Sequence, residues 1–121
     1  MTEAEFKHRT KQVALRVIRL VNTLPTSGVA GVIGKQLVRS GTSIGANYRA
    51  ACRAKSRRDF VAKMGIVEEE ADESALWMEL IIESGLKDER LVIDLLREAN
   101  EITKIMAASK ITARGRNKPD A

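Results

Sequence analysis

The chain has 121 residues and a net charge of +5, with 44% hydrophobic but only 3% aromatic residues, which fits one domain built on an aliphatic core. A lone cysteine, Cys52, excludes an internal disulfide and any metal-type cysteine spacing; it reads as a small hydrophobe in a reducing setting. No apolar run approaches the roughly 18 residues of a membrane span, and the charged start, MTEAEFKHRTKQ, offers neither an export signal nor an anchor, so a cytoplasmic protein is expected.

The first helix is predicted from about Glu3 to Thr23, where Phe6, Val13, Val17, Leu20 and Leu24 recur at helical steps. Lys7, Arg9, Lys11, Arg16 and Arg19 mostly take other faces. Pro25 ends this helix because the residue before a proline is pushed out of helical geometry, and Thr26, Ser27 and Gly28 make a turn. A second helix runs from about Val29 to Arg53. Its Gly31, Gly34, Gly41 and Gly45 each lose about 1 kcal/mol of helix propensity against alanine. Close backbone packing accounts for Gly41 and Gly45.

Lys55 to Asp59 reads as a junction, with Ser56 as N-cap and Asp59 completing a weak capping box. On the third helix Phe60, Met64, Val67, Ala71, Ala75, Met78 and Ile82 form one apolar stripe. Ile66, Glu70, Glu73, Trp77 and Leu80 form a second beside it, so this helix is expected to meet its bundle neighbours on one side and a further surface, such as another subunit, on the other. Gly85 stops it, and Lys87 with Asp88 opens a fourth helix carrying Val92, Leu95, Ala99, Ile102 and Met106. The rhythm fades after about Ile111. The reading is therefore an all-α, antiparallel up-down-up-down four-helix bundle over residues 1–113, followed by a basic disordered tail over residues 114–121.

Two groups of residues carry functional expectations. The first lies on helices two and three. With the turn centred near Lys55, antiparallel packing sets Ser40 level with Glu70 and Gln36 level with Ser74, which brings Arg39 to Glu70 and Glu73. A guanidinium facing two carboxylates makes charge-assisted hydrogen bonds, and Gln36, Ser40, Ser43 and Asn47 stand ready for the remaining lone pairs. This polar seam fixes helix register or a subunit interface in one reading and forms a site in the other. Carboxylate-bridged metal bundles use Glu-x-x-His pairs, however, and the single histidine, His8, sits near a terminus as a surface residue. Phosphate-binding loops, dinucleotide fingerprints and a nucleophile, base and orienter set are all missing, so no catalytic residue, metal or cofactor is expected.

The second group is basic. Met1 to Phe60 hold twelve basic and three acidic residues, a net of +9; Val61 to Ala121 hold nine and thirteen, a net of −4. Arg49, Arg53, Lys55, Arg57 and Arg58 crowd the corner between helices two and three. Such a cluster either binds nucleic-acid phosphates, with strong salt dependence and little sequence preference, or balances the acidic third helix as a solvated corner. With Tyr48 and Trp77 each the sole residue of its type, no platform for stacking bases is evident, and any nucleic-acid contact is expected to be backbone-led.

The stretch from Gln36 to Leu80 resembles a known bacterial family. The residues that carry the likeness are Gln36-Leu37, Arg39-Ser40, Ser43-Ile44, Ala46-Asn47-Tyr48, Phe60, Lys63, Glu70-Ala71, Glu73 and Trp77, with Leu24-Pro25 upstream. They are similar to the four helix bundle proteins, also called intervening-sequence proteins because some are encoded in insertions within large-subunit ribosomal RNA genes. Ala50-Ala51 depart from that pattern, in which a glutamate often follows Asn-Tyr-Arg. The resemblance implies an antiparallel four-helix bundle assembled as a ring-like homopentamer, and related accessory factors of diversity-generating retroelements bind nucleic acid. It assigns no catalytic residue. The expected function is non-enzymatic binding of ribosomal or other structured RNA through the basic corner and tail, with a structural or protein-interaction scaffold as the alternative. An enzyme relying on Glu70 and Glu73 is the third reading.

Overall fold

The structure, a computed structural model, describes residues 1–115. Four α-helices follow one another: α1 (Glu3–Asn22), α2 (Gly28–Cys52), α3 (Arg57–Glu83) and α4 (Ile93–Gly115), with a 3-10 turn at Glu89–Leu91 before the last. They pack as a four-helix bundle, as expected, and every regular element among the described residues is helical.

Local chemistry sets the ends of these helices. Thr2 and Glu5 form a reciprocal capping box at α1, the Glu5 N–H donating to Thr2 Oγ1 at 3.1 Å and the Thr2 N–H to Glu5 Oε2 at 3.4 Å. Past Pro25, Gly28 takes φ +66°, a left-handed value that glycine adopts without strain, and swings the chain into α2. Ser56 caps α3 by accepting from the Asp59 N–H at 3.0 Å, while Asp59 Oδ2 accepts from the Lys55 N–H at 3.4 Å. α3 thus starts at Arg57, inside the segment expected to be a junction. Gly85, at φ +79°, turns the chain beyond the end of α3.

The entry to the fourth helix differs from the expectation. Asp88 caps the 3-10 turn, its Oδ1 accepting from the Arg90 N–H at 2.9 Å, and α4 begins only at Ile93. The turn delivers Val92 into the core with no exposed surface while Leu91 stays outside. α4 then runs to Gly115, beyond the point where its apolar rhythm fades, with Ala113 still buried. Residues 116–121, the remainder of the expected basic tail, lie outside the described residues.

The core is aliphatic, with Val17, Leu37, Ile44, Met78, Ile102 and Met106 among its most deeply buried side chains. α1 approaches α2 closely through glycine: a Cβ on Gly41 would lie 2.8 Å from a Val17 methyl, one on Gly45 would lie 3.2 Å from Thr10 Oγ1, and one on Gly34 would lie 3.1 Å from Val21 Cγ1. As the α2 number rises the α1 number falls, so the two helices run antiparallel. α1 and α4 touch much less than the other neighbouring pairs. Arg9 bridges their gap by donating from Nε and Nη2 to the two Glu98 oxygens, both at 2.7 Å. That hydrogen-bonded pairing holds the Glu98 carboxyl below its ordinary range. Among the described residues no helix is long and apolar enough to cross a membrane.

The Gly41–Val17 approach generates a prediction. Gly41→Ala gains helix propensity of about 1 kcal/mol but forces a methyl into stiff, β-branched Val17, and overpacking of that kind costs about 1–3 kcal/mol. The variant is expected to melt lower than the parent in a thermal denaturation scan; a higher melting temperature would show that α1 yields freely at this point.

Candidate functional site

The polar seam assembles on the α2–α3 pair. Arg39 donates from Nη1 to Glu70 Oε2 at 3.1 Å and from Nη2 to Glu73, and its Nε reaches Gln36 Oε1 at 3.4 Å. Beneath this clamp, Ser74 Oγ lies 2.8 Å from both Ser40 Oγ and the Glu70 carbonyl, and both serines are fully buried. Ser40 therefore meets Ser74, one turn further along α3 than simple mirroring about Lys55 suggests. Helical side chains lean toward their own N-terminus, so in an antiparallel pair they lean toward one another and displace the contact from the level of the Cα atoms.

Ser43 and Asn47 do not join the carboxylates. Ser43 Oγ donates to the Arg39 carbonyl at 2.6 Å and Asn47 Nδ2 to the Ser43 carbonyl at 2.8 Å, so both side chains serve the α2 backbone. Glu70 and Glu73 thus share one arginine rather than converging on a vacant position.

The basic corner occupies the bundle end where α2 finishes and α3 starts. Arg49, Arg53, Lys55, Arg57 and Arg58 are all exposed there. Among the described residues no carboxylate lies within ion-pair distance of the charged groups of Arg49, Arg53, Lys55 or Arg58. The acids nearest in sequence are engaged elsewhere, Asp59 with Lys63 at 3.4 Å and Glu68 with Lys110 at 2.5 Å.

Sequence reasoning missed a hollow beside this corner. Phe6, Tyr48 and Phe60, three of the chain's four aromatic residues, come together here from α1, α2 and α3. The Phe6 and Tyr48 rings meet edge to face at 4.6 Å, and Phe60 is half-buried beside them. These rings, with Met64, Met106 and Ser109, line a cavity of about 490 Å³. A second hollow shares Tyr48, Phe60 and Ala113 with it and reaches Cys52 and Arg57. Burial pushes the Tyr48 phenol and the Cys52 thiol up, so Cys52 stays a neutral thiol at physiological pH. The signal was in the numbering: the antiparallel mirror that joins Arg39 to Glu70 also brings Tyr48 close to Phe60.

These features define a class, a small aliphatic four-helix bundle with a lateral polar seam and one cationic end. The chain belongs to the family described as 23S rRNA-intervening sequence proteins, whose family model matches residues 2–108. A crystal structure of a protein of unknown function from the S23 ribosomal protein family of Bacteroides thetaiotaomicron is 33% identical to this chain. It superposes with a TM-score of 0.77, the match covering 86% of this chain and 96% of that one. No curated protein matches the chain.

The seam predicts an order of effects. Arg39→Ala leaves Glu70, whose side chain is only 17% exposed, without its cation, and should cost about 1–3 kcal/mol. Glu73→Ala removes a carboxylate that is 38% exposed and leaves the Arg39–Glu70 bond standing, so it should cost less than about 1 kcal/mol. Urea denaturation of the two variants checks this; equal losses would show that the seam acts as one indivisible unit.

Proposed function

We propose that this protein is a non-enzymatic, self-assembling RNA-binding bundle that grips phosphates through Arg49, Arg53, Lys55, Arg57 and Arg58. The observation that carries the reading is the state of the corner cations. The charged side chains of four of the five, Arg49, Arg53, Lys55 and Arg58, have no carboxylate partner among the described residues, although the chain carries sixteen acidic residues to supply one. A corner whose purpose was to balance α3 would pair with the acids nearest to it along that helix; instead Lys63 holds Asp59, Lys110 holds Glu68, and Arg39 holds Glu70 and Glu73. Unpaired, exposed guanidinium and ammonium groups clustered on one surface release counterions when a polyanion binds, which supplies affinity without sequence preference. The family's description, with its 23S rRNA intervening sequence, makes structured RNA the favoured polyanion. A cytoplasmic setting suits that partner. No role in bond-making is assigned to Glu70 or Glu73, since both carboxylates are hydrogen-bonded to Arg39.

The scaffold reading is favoured by a separate observation and is compatible with the first. Val32 on α2 is 60% exposed and Leu80 on α3 is 39% exposed. Val32 lies two turns from Arg39, and Leu80 two turns beyond Glu73, so both flank the seam on one side of the bundle. That lateral face suits self-association, in the ring of identical subunits that the family resemblance implies.

Binding of a structured ribosomal RNA fragment across a salt series tests the corner. Wild type should lose affinity steeply with salt, and a variant with Arg53, Arg57 and Arg58 all changed to Ala should show a slope shallower by about 2–3. No binding at low salt would sink the RNA reading. Self-association has its own check: Val32→Glu combined with Leu80→Glu should reduce the mass in light scattering to the 13.4 kDa of one chain, whereas an unchanged larger mass would move the interface elsewhere.

A further inference from the structure

The hollow beside the basic corner has features that phosphate binding alone does not need. It gathers three of the four aromatic residues of a chain whose core is otherwise aliphatic. Two of those rings are buried and packed against each other, but Phe60 keeps part of its surface open on the cavity. Ser109, on the α4 side, is half-buried, and its side-chain hydroxyl makes no hydrogen bond among the described residues, which leaves it free to donate or accept. Phe60 lies one helical turn from Arg57 on α3, so the open ring and the cationic corner adjoin. Arg114, exposed in the last turn of α4, adds a further positive charge beside Ala113, which lines the same cavity.

A flat apolar wall, a free hydroxyl and a cationic rim together match one chemical object, a heteroaromatic base joined to a phosphate. The volume, about 490 Å³, lies within the roughly 300–1,000 Å³ of small-ligand clefts. A base inside a duplex cannot reach such a recess, whereas one that is bulged or single-stranded can leave its stack and lie against a ring. We propose that this hollow receives one unstacked nucleobase of an RNA strand, stacked on Phe60 and hydrogen-bonded by Ser109, while the neighbouring phosphates lie on the arginine corner. This deepens the RNA-binding reading and rests on it: the ligand becomes RNA with an irregularity rather than a uniform helix.

The test compares two RNA hairpins of the same length, one fully paired and one carrying a single bulged 2-aminopurine. Wild type should bind the bulged hairpin about tenfold more tightly, and the fluorescence of the 2-aminopurine should change on binding. Phe60→Leu, which removes the ring but keeps an apolar side chain, and Ser109→Phe, which fills the recess from the α4 side, should each bring the ratio of the two affinities close to one. Melting temperatures measured alongside establish that both variants are folded. Equal affinity of wild type for the two hairpins, or a ratio that survives in both variants, would overturn the base pocket while leaving phosphate binding intact. Failure of both hairpins to bind would instead remove the RNA reading itself. Adenosine monophosphate binding as tightly as the bulged hairpin would reassign the hollow to a free nucleotide.

Discussion

The register between α2 and α3 is the constraint on which the rest of this molecule depends. Two buried hydroxyls, Ser40 and Ser74, face each other at 2.8 Å, and either one set against an aliphatic neighbour would lose this bond and keep only the carbonyl of its own helix, Leu37 or Glu70. Arg39 reinforces the same alignment from the surface by reaching two carboxylates a turn apart. A slide of one turn along the helix axis would break the hydroxyl pair and dissociate the clamp. An aliphatic core by itself discriminates poorly between such registers, since Leu, Ile, Val and Met pack tolerably in several arrangements. The polar seam therefore supplies specificity that the hydrophobic stripe lacks.

That register has a consequence at the end of the bundle. It holds the link between α2 and α3 as a tight corner, with Arg53 at the C-cap of one helix and Arg57 at the start of the next. Cations at the end of α2 suit the negative end of its helix dipole, but Arg57 and Arg58 sit at the positive end of α3, where the dipole disfavours them. Asp59, in the same first turn, offsets part of that cost while pairing with Lys63. Two arginines kept at an unfavourable helix end, with no carboxylate near Arg58 among the described residues, are easier to understand as a surface for an external anion than as a device for stability.

Much of this was legible in the amino-acid order, for identifiable reasons. The helices follow from apolar spacing and from punctuation at Pro25, Ser56 and Gly85, each with a local mechanism that tertiary packing did not override. The contact of Arg39 with Glu70 and Glu73 follows from the shortness of the turn. Less legible was the start of α4, where Asp88 was readable as a cap but not as the cap of a 3-10 turn, because only the core's demand for Val92 decides between them. Ser43 and Asn47 escaped for a related reason: small polar side chains in a helix choose between a neighbouring helix and their own backbone, and the choice depends on distances that spacing does not contain. The aromatic hollow combines residues from α1, α2 and α3 that no single periodicity connects.

The proposed self-association and nucleic-acid binding would make different demands on a bundle of this size, and the surfaces proposed for them lie apart. Exposed apolar side chains flank the seam on the lateral surface of α2 and α3, while the uncompensated cations and the aromatic hollow lie at one end. Copies joined through the lateral face would leave their ends open and, in a closed ring, would point them the same way. As a phosphate-binding surface, each corner alone would offer a handful of contacts and modest affinity at physiological salt. An array of corners held at fixed spacing converts every contact after the first into an intramolecular event, so affinity rises steeply without any stronger individual site. The same geometry filters ligands, because only an RNA with phosphates at matching intervals can engage several corners together, and only one with an accessible base can also fill a hollow. Under the proposed function, assembly would then be the means by which a small, aromatic-poor domain gains selectivity that its single binding surface could not provide.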